Sequence, residues 1–529
     1  MTPELLMAEL EKLGVTLTLN DGKIRYRGRK EVVTSELLEE LRKHKEWIIQ
    51  FLQSKPSNRW TLSDGQNALW FLHELDPSSA SYHMAFCVKI SSPIALNVLE
   101  RAFQATVKRH PLLRAHIQSE SAVPFMEIQE ESEIRFSSVN ASNWTSAEIE
   151  SNLASAYREP FDFGKGSLIR ANLFTLNGSE HIFLITAHHI IFDGKSMWIV
   201  VKELFQDYEE QISGKPGTLH PPQHTFADYV SRQTKFLQGG EASKLKEFWL
   251  NELKQMPPPL DFPSDRPMTD PSSCRGGSQA LSLSSSVSEG IKAMAKREGA
   301  TVFAVLLTVY HIFLNRITGQ RDILIGSATG GRNRPEYQAI VGYFINMVVN
   351  RARVDENLSF AQMLARVRKS VVAVLNHQEY PYPLVVEAIQ KGKNTSRSSL
   401  FQAEFGLQLS QASGGILELF LPHEAGGKVT IGSLELSPYP LRQQEGQFDL
   451  SLELIEARGQ FYGVFKYNED LFEPESMHAL VEHFQSLIAQ IVEHPGVPIR
   501  ELSVSTDAEN RMANELLAIC PISPANEWS

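Results

Sequence analysis

The sequence predicts an α+β protein with two lobes of similar size behind a small N-terminal module. Each half of the 529-residue chain mixes strand-like alternation with helical spacing, a proline- and glycine-rich connector separates the halves, and the segment QSKPSNR isolates the N-terminal module. A chain of this length holds two to four domains, or a small module plus a two-lobed enzyme. The boundaries are 1–54 for the module, 55–60 for a linker, 61–250 for the first lobe, 251–277 for the connector, 278–505 for the second lobe and 506–529 for a tail.

The N-terminal module combines helices with one hairpin. A short helix is expected from Glu4 to Leu13, and Asn20-Asp21-Gly22 between two alternating segments predicts a β-hairpin. Ser35 then caps an amphipathic helix. The apolar face of that helix consists of Leu37, Leu38, Leu41, Ile48, Ile49 and Leu52.

The second strand of this hairpin is basic although the protein as a whole is acidic. Lys23, Arg25, Arg27 and Arg29 recur every second residue, so strand geometry places them on one face. Two interpretations stay open. The face is either an ordinary solvated surface or a docking surface for an acidic peptide that adds to the strand edge.

Both lobes contain segments with clear strand or helix periodicity. In the first lobe, 85–90 and 181–189 are predicted strands, and 97–110 and 195–212 are predicted helices. In the second lobe, 302–317 and 477–494 are predicted helices, and 448–468 is a predicted hairpin. These patterns predict that each lobe has its own sheet with covering helices.

Composition excludes several classes of function. The net charge of −11 argues against a general nucleic-acid binder. Cys87, Cys274 and Cys520 lie far apart, which disfavours a disulfide framework or a cysteine metal site. The N-terminus carries Glu4 and resembles neither a signal peptide nor an anchor, and no apolar run reaches membrane-spanning length. A cytoplasmic protein that contacts no membrane is expected.

Residues 187–198, AHHIIFDGKSMW, concentrate chemically useful side chains. A phosphate loop ending at Gly194 needs a glycine where His189 stands. A metal site is disfavoured because His188 and His189 point to opposite faces of a strand and no third ligand is near in sequence. A serine hydrolase is disfavoured because its glycine-serine-glycine elbow is missing. The histidines remain open to a structural or a catalytic role.

The segment from His188 to Gly194 matches the HHxxxDG signature of condensation domains from nonribosomal peptide synthetases. Companion motifs that resemble those of the family occur in family order, and the resemblance as a whole covers about Trp60 to Thr506. They are LSDGQNALWFL at 62–72, RHPLLRAHI at 109–117, DILIGSATGGRNRPEYQAIVGYFINM at 322–347, NHQEYPYPLVVEAI at 376–389 and NTSRSSLFQAEFGLQL at 394–409.

This resemblance implies two chloramphenicol-acetyltransferase-like lobes in a V around a tunnel. An acyl thioester and an aminoacyl thioester, each on the 4'-phosphopantetheine arm of a carrier protein, meet there and form an amide. His189 is the tunnel-facing imidazole, which accepts a proton from the amine or orients it. His188, Asp193 and Gly194 are structural, and Asp193 pairs with Arg332 rather than Arg334. No metal and no tightly bound cofactor are implied.

The first 55 or so residues resemble the N-terminal docking domains of the tubulysin-synthetase type. This resemblance strengthens the docking interpretation of the basic strand. It implies binding of the acidic C-terminal tail of an upstream synthetase protein that carries the acyl or peptidyl donor. A peptidyl carrier protein and an adenylation domain are the expected downstream partners, and the chain is expected to be monomeric.

Departures from the family pattern refine the expected substrate. They are Gly65, Ala68, Ala115, Met347 and Ser398-Ser399. The opening motif and GYFINMVVNR resemble condensation domains that follow polyketide modules, which favours a polyketide-like or fatty acyl donor over a peptidyl one.

Further expectations concern the C-terminal tail, residues 506–529, and the alternative functions. The tail starts like a linker toward an adenylation domain, so the chain is either an excised piece of a synthetase or is completed by a partner in trans. The rival functions are a non-catalytic platform that recruits carrier proteins and an acyltransferase that uses a free soluble amine.

Overall fold

The computed structural model describes most of the chain. The described residues are 6, 10, 15–20, 23–27, 34–54, 58–130, 134–215, 217–267, 275–390, 400–409, 418–421, 427–439, 441, 447–505 and 509. Among the residues so described, no single helix is long and apolar enough to cross a membrane. The helices Ser285–Arg297 and Val302–Thr318 reach the required length and apolar character only when they are taken together, and a bend of 110° separates them.

The N-terminal module contains the predicted hairpin. Strands β1 (Thr16–Asn20) and β2 (Lys23–Arg27) pair antiparallel and are followed by helices α1 (Ser35–Lys43) and α2 (Lys45–Ser54). The predicted single helix is therefore two helices, and its cap is Thr34 rather than Ser35, because the Thr34 hydroxyl accepts a hydrogen bond from the amide of Leu37 at 3.3 Å. Of the helix expected from Glu4 to Leu13, only residues 6 and 10 are described.

The first lobe is built on a six-stranded sheet with the order β14-β15-β4-β9-β8-β7. Its strands are β4 (His83–Ile90), β7 (Arg135–Asn140), β8 (Ile169–Thr175), β9 (His181–His188), β14 (Val429–Ile431) and β15 (Leu434–Pro438). A small sheet in this lobe contains β3 (Arg59–Thr61), β5 (Ala115–Glu120) and β6 (Val123–Ile128). The helices are α3 (Asp64–Leu75), α4 (Leu96–Arg109), α5 (Ser146–Arg158), α6 (Gly194–Ile212) and α7 (Phe226–Leu237). Helix α8 (Gly240–Glu252) precedes the connector but packs on the second lobe, where Trp249 shares an apolar cluster with Leu324.

The second lobe has its own six-stranded sheet, with the order β10-β17-β16-β13-β11-β12. Its strands are β10 (Gly276–Ser282), β11 (Asp322–Thr329), β12 (Asn346–Arg353), β13 (Ala403–Leu409), β16 (Leu450–Ala457) and β17 (Gln460–Asn468). The helices are α9 (Ser285–Arg297), α10 (Val302–Thr318), α11 (Phe360–Asn376), α12 (Tyr382–Gln390) and α13 (Pro474–Glu493). Helix α10 is the centre of this core, since residues 304–315 are all buried.

Two segments of the second half cross into the first lobe. Strands β14 and β15 extend the first sheet because β15 pairs antiparallel with β4. The division at the connector does not predict this crossing, because it assigns all of 278–505 to the second lobe. The loop between β11 and β12 also crosses, and its residues Tyr337, Ile340, Val341 and Phe344 join the apolar core of the first lobe. We call residues 330–345 the crossing loop.

Candidate functional site

Strand β9 delivers the two histidines to the end of the first sheet. It lies between β4 and β8, and every residue from His181 to His188 is buried. Alternate side chains pack into different apolar clusters, Phe183 and Ile185 on one face and Ile182 and Leu184 on the other. Because both faces of this strand are buried, nearly all of its residues are apolar, which explains the sequence HIFLITA. A short 3-10 turn, His189–Ile191, follows directly.

His188 is a buried structural group. The backbone N–H of Ile190 donates to its Nδ1 at 3.1 Å, and the rings of His83, Phe161 and Phe163 lie with centroids 4.8 to 6.2 Å away. Burial, with neighbouring histidines, holds the pKa of His188 well below its usual value. Its ring is therefore neutral and shapes the strand end from within the lobe.

His189 is fixed differently. Its backbone N–H donates to the carbonyl oxygen of Tyr82 at 2.8 Å, and its Nδ1 lies 2.8 Å from the carbonyl oxygen of Phe192. A carbonyl can only accept, so Nδ1 carries the hydrogen and Nε2 keeps its lone pair. The residue is only partly buried, and desolvation lowers its pKa. It is therefore a neutral imidazole with an acceptor nitrogen available at physiological pH.

Asp193 links the histidine turn to the second half of the chain. It caps α6, where Oδ1 accepts from the Ser196 amide at 2.7 Å. Nη2 of Arg332 lies 2.9 Å from Oδ1 and 3.1 Å from Oδ2, and both side chains are almost completely buried. Arg334 instead pairs with Glu336 at 3.3 Å near the surface. Gly194 follows the cap as the first residue of α6.

The crossing loop is fastened around this ion pair. Arg332 also donates to the carbonyl oxygens of Tyr337 (at 2.7 Å) and Ile340, while the Phe344 amide donates to Asp193 Oδ2 at 3.2 Å. Gly331 has a φ of +61°, and a Cβ there would overlap the carbonyl of Phe344. Glycine is therefore needed at the turn that directs Arg332 toward Asp193.

Three supporting residues were missed by the sequence analysis. The side-chain amide of Gln66, which is fully buried, donates to the Ile190 carbonyl at 2.7 Å and so holds the histidine turn from helix α3. Ser196 joins the two lobes, because its hydroxyl lies 2.9 Å from both Arg332 Nη2 and the Gly342 amide. Gln66 and Ser196 stand in quoted motifs, but the partners that give them these roles, Ile190, Arg332 and Gly342, are more than 100 residues away.

Tyr343 is the third missed residue. Its ring meets the His189 ring edge to face, with centroids 5.3 Å apart. A Cβ at Gly65 would come within 2.8 Å of the Tyr343 ring. The glycine that departs from the family's opening motif therefore leaves room for an aromatic wall beside His189.

The basic strand of the N-terminal module is described in part. Lys23, Arg25 and Arg27 lie in β2, which pairs with β1 in a two-stranded sheet, and Arg29 lies outside the described residues. Ile24 packs against the module's apolar core. Within the described portions of the chain, no three His, Cys, Asp or Glu side chains are placed to hold a metal ion.

Comparison with known proteins agrees with the fold and the motifs. Residues 57–513 match the Condensation domain family, and residues 4–54 match the TubC N-terminal docking domain. Polyketide synthase PksN of Bacillus subtilis (strain 168) is 29% identical over 448 residues, 85% of this chain and 8% of its own. Bacitracin synthase 2 of Bacillus licheniformis is 28% identical over 515 residues, 95% of this chain and 19% of its own. The chain thus spans only a small part of these relatives.

A solved structure shares the fold. A four-domain nonribosomal peptide synthetase bound to AMP and glycine superposes with a TM-score of 0.77 at 24% identity, over 85% of this chain and 34% of that one. The expected α+β architecture of two chloramphenicol-acetyltransferase-like lobes is confirmed. The motif resemblance is confirmed as well, and the chain belongs to the condensation domain family, with a TubC-type docking domain at its N-terminus.

Proposed function

We propose that this chain forms an amide bond between an acyl thioester and the amine of an aminoacyl thioester, each presented on a phosphopantetheine arm of a carrier protein. One observation carries the proposal: His189 is a neutral imidazole whose Nδ1 is committed to Phe192 and whose Nε2 is free to accept a hydrogen bond. An attacking amine needs such an acceptor, either to orient its lone pair or to remove a proton.

The reaction requires no covalent enzyme intermediate. The amine nitrogen attacks the thioester carbonyl, the C–N bond forms, the C–S bond breaks, and the proton released from nitrogen balances the thiolate of the departing arm. Holding both tethered groups in one site makes their encounter nearly intramolecular, which supplies much of the acceleration. In this scheme His189 is the catalytic residue, and His188, Asp193, Gly194 and Arg332 position it.

Carrier-bound donors are favoured over soluble ones by the N-terminal module. The basic strand with Lys23, Arg25, Arg27 and Arg29 would bind the acidic tail of an upstream synthetase protein by strand addition at β2. A polyketide-like or fatty acyl donor is favoured over a peptidyl donor, in keeping with the similarity to the polyketide synthase PksN. A downstream peptidyl carrier protein, with its adenylation domain, would supply the amine.

Intact-protein mass spectrometry tests the reaction. An acyl chain is loaded on an upstream carrier and an amino acid on a downstream carrier, and the mass of both is followed with time. Transfer of the acyl mass to the aminoacyl carrier supports the enzyme. Absence of transfer with cognate carriers, despite measurable binding of both, would favour the non-catalytic platform. Transfer to the free amino acid at an equal rate would favour the soluble-amine acyltransferase.

Docking is tested separately by charge reversal. Arg25→Glu with Arg27→Glu should weaken binding of a synthetic acidic peptide and flatten its dependence on salt, because fewer ion pairs form. Arg42→Glu, at an exposed position on α1 of the same module, is the matched control. Equal loss in the control would show a general charge effect, and unchanged affinity in the double variant would reject the docking surface.

A further inference from the structure

A row of polar side chains crosses one face of the second sheet. Ala403 and Phe405 on β13 pack into the second-lobe core, so Glu404 between them points to the opposite face. Strand pairing sets Glu404 beside Ser451 of β16, and Ser451 beside Lys466 of β17. Three neighbouring strands therefore place an acid, a hydroxyl and a base side by side on the face turned away from the core.

One charge on this face, Lys466, acts on the candidate site. At the other end of this face, α8 and α12 cover the sheet, where Trp249 and Val385 share an apolar cluster with Leu324. Lys466 acts electrostatically on His189, whose pKa it helps to lower. Charges act over distances of about 10 Å at moderate salt. Lys466 is thus a charge of the polar row that the imidazole senses.

The charges in this row do not balance. Nζ of Lys466 lies 2.8 Å from Oε1 of Glu453, and among the described residues Glu404 has no cation within ion-pair distance. Both acids extend over Gly406: Oε1 of Glu404 lies 3.5 Å, and Cγ of Glu453 3.8 Å, from the point where a Cβ of that residue would stand. Two acidic side chains therefore lie over a bare glycine, and the ammonium group of Lys466 is paired with Glu453.

Burial makes this imbalance costly. Glu404 is only 8% exposed, and buried carboxylates are normally paired with a cation. Desolvation first, and then the nearby Glu453, raises the pKa of Glu404 to about 8, against the opposing effects of Lys466 and the Ser451 hydroxyl. Tyr310 of α10, on the core side of the sheet, also interacts electrostatically with Glu404 and adds no positive charge.

We propose that Glu404 binds the ammonium group of the amine substrate, while Glu453 holds Lys466 aside. This assignment deepens the proposed function and rests on it. The ammonium supplies the cation that the cluster lacks. Near neutral pH the free Glu404 is largely protonated, so the incoming ammonium group displaces this proton to solvent. Before attack the ammonium gives one proton back to the Glu404 carboxylate: an N–H bond breaks, an O–H bond forms, and the neutral amine that remains is the nucleophile. Glu404 is then a specificity-determining group contributed by the second lobe.

Binding of non-transferable substrate analogues tests this assignment without turnover. The probes are glycyl, alanyl and seryl amides of aminopantetheine, which carry a free ammonium group, and their N-acetylated counterparts, which do not. Calorimetry on the full chain should show that the ammonium forms bind wild type more tightly than the acetylated forms. Glu404→Gln should lose this preference, with a roughly 10- to 100-fold rise in Kd for the ammonium forms alone.

Glu456→Gln is the matched control. Glu456 lies on β16 of the same sheet, but it pairs with Lys292 of α9 on the core side at 2.7 Å. Its substitution should leave the ammonium preference intact. Glu404→Gln should also keep or raise the midpoint of thermal unfolding, because it removes a buried carboxyl group, whereas a merely structural role for Glu404 would lower that midpoint.

The outcomes separate this proposal from the proposed function. No ammonium preference in wild type, or an equal preference in Glu404→Gln, overturns the role of Glu404 even if the carriers exchange acyl groups normally. A preference that depends on Glu404, combined with failure of amide formation between loaded carriers, supports the binding site and rejects the enzyme.

Discussion

The molecule contains two ion pairs of nearly equal length in very different surroundings. Arg332–Asp193 spans 2.9 Å with side chains 5% and 2% exposed, and Lys466–Glu453 spans 2.8 Å with side chains 26% and 45% exposed. The first is a closed cluster: one acid, one base, and surrounding donors that satisfy the carboxylate. The second is open, because Glu404 adds an acid without a cation. Distance alone therefore does not reveal what a pair does.

The two clusters are therefore suited to different tasks. Burying a paired charge is tolerated where the geometry is complete, and breaking such a pair leaves an uncompensated charge. The closed cluster is suited to hold the crossing loop and the histidine turn in one position. The open cluster combines the partly exposed Lys466 and Glu453 with the buried Glu404, and its uncompensated acid keeps capacity for a cationic ligand.

The largest effect is expected from breaking the closed cluster. Arg332→Met leaves the Asp193 carboxylate buried without its cation, so the free energy of unfolding should fall by about 3 to 5 kcal/mol. Urea unfolding measures this loss. The double variant Asp193→Leu, Arg332→Met should recover part of it, because both charges are then absent.

Arg334→Met is the control for that prediction. Arg334 stands two residues away, but it is exposed and pairs with Glu336. Its loss should change the free energy of unfolding by less than about 0.5 kcal/mol. A similarly small change in Arg332→Met would mean that the buried pair does not hold the crossing loop.

Removal of the imidazole is expected to affect rate rather than stability. His189→Ala should lower the rate of amide formation about 100-fold or more, roughly 3 kcal/mol of transition-state stabilisation, because the acceptor nitrogen is lost. Single-turnover mass spectrometry with loaded carriers measures it. Thermal unfolding within a few degrees of wild type would show that the fold survives. An unchanged rate would contradict the role given to Nε2.

The sequence predicted those parts of the site that local patterns encode. The strand end, the histidine turn and the start of α6 follow from alternation and from an aspartate before a helix, whereas the roles of His189 and Asp193 came from the family resemblance. The choice of Arg332 over Arg334 came from family resemblance, since sequence spacing does not determine which of two nearby arginines reaches a group 139 residues away.

Long-range features escaped prediction for physical reasons. Strands β14 and β15 have three and five residues, and nothing in so short a pattern tells which sheet they join. Gln66 acts through the backbone of Ile190, which any sequence would provide. Glu404 stands inside a quoted motif, yet its importance depends on its neighbours across the sheet. The register between strands that are far apart in sequence depends on the tertiary structure, and local sequence patterns do not determine it.

Acid should weaken the packing around His83, next to His188 at the end of β9. His83, whose Nδ1 lies 2.8 Å from the Tyr157 carbonyl, has its pKa lowered to about 4, mainly by burial. The unfolded chain therefore binds a proton near pH 6.5 that the folded chain refuses, so stability is complete above that pH and declines as pH falls toward 4. The loss from this residue is roughly 3 kcal/mol. Urea unfolding against pH measures it, and His83→Phe should flatten the profile. A stability that rises between pH 6.5 and 4 would contradict the buried neutral state.

The smallest change in stability is expected from a substitution in the open cluster of Lys466, Glu453 and Glu404. Glu453→Gln removes an ion pair as short as the buried one, but solvent screens it, so the free energy of unfolding should change by less than about 1 kcal/mol. Relief of repulsion on Glu404 offsets part of even that loss. Unfolding in low and high salt measures the change, and the difference between wild type and variant should shrink as salt rises. A loss comparable to that of Arg332→Met would show that the second cluster is closed as well, and Glu404 would then have no capacity for an incoming cation.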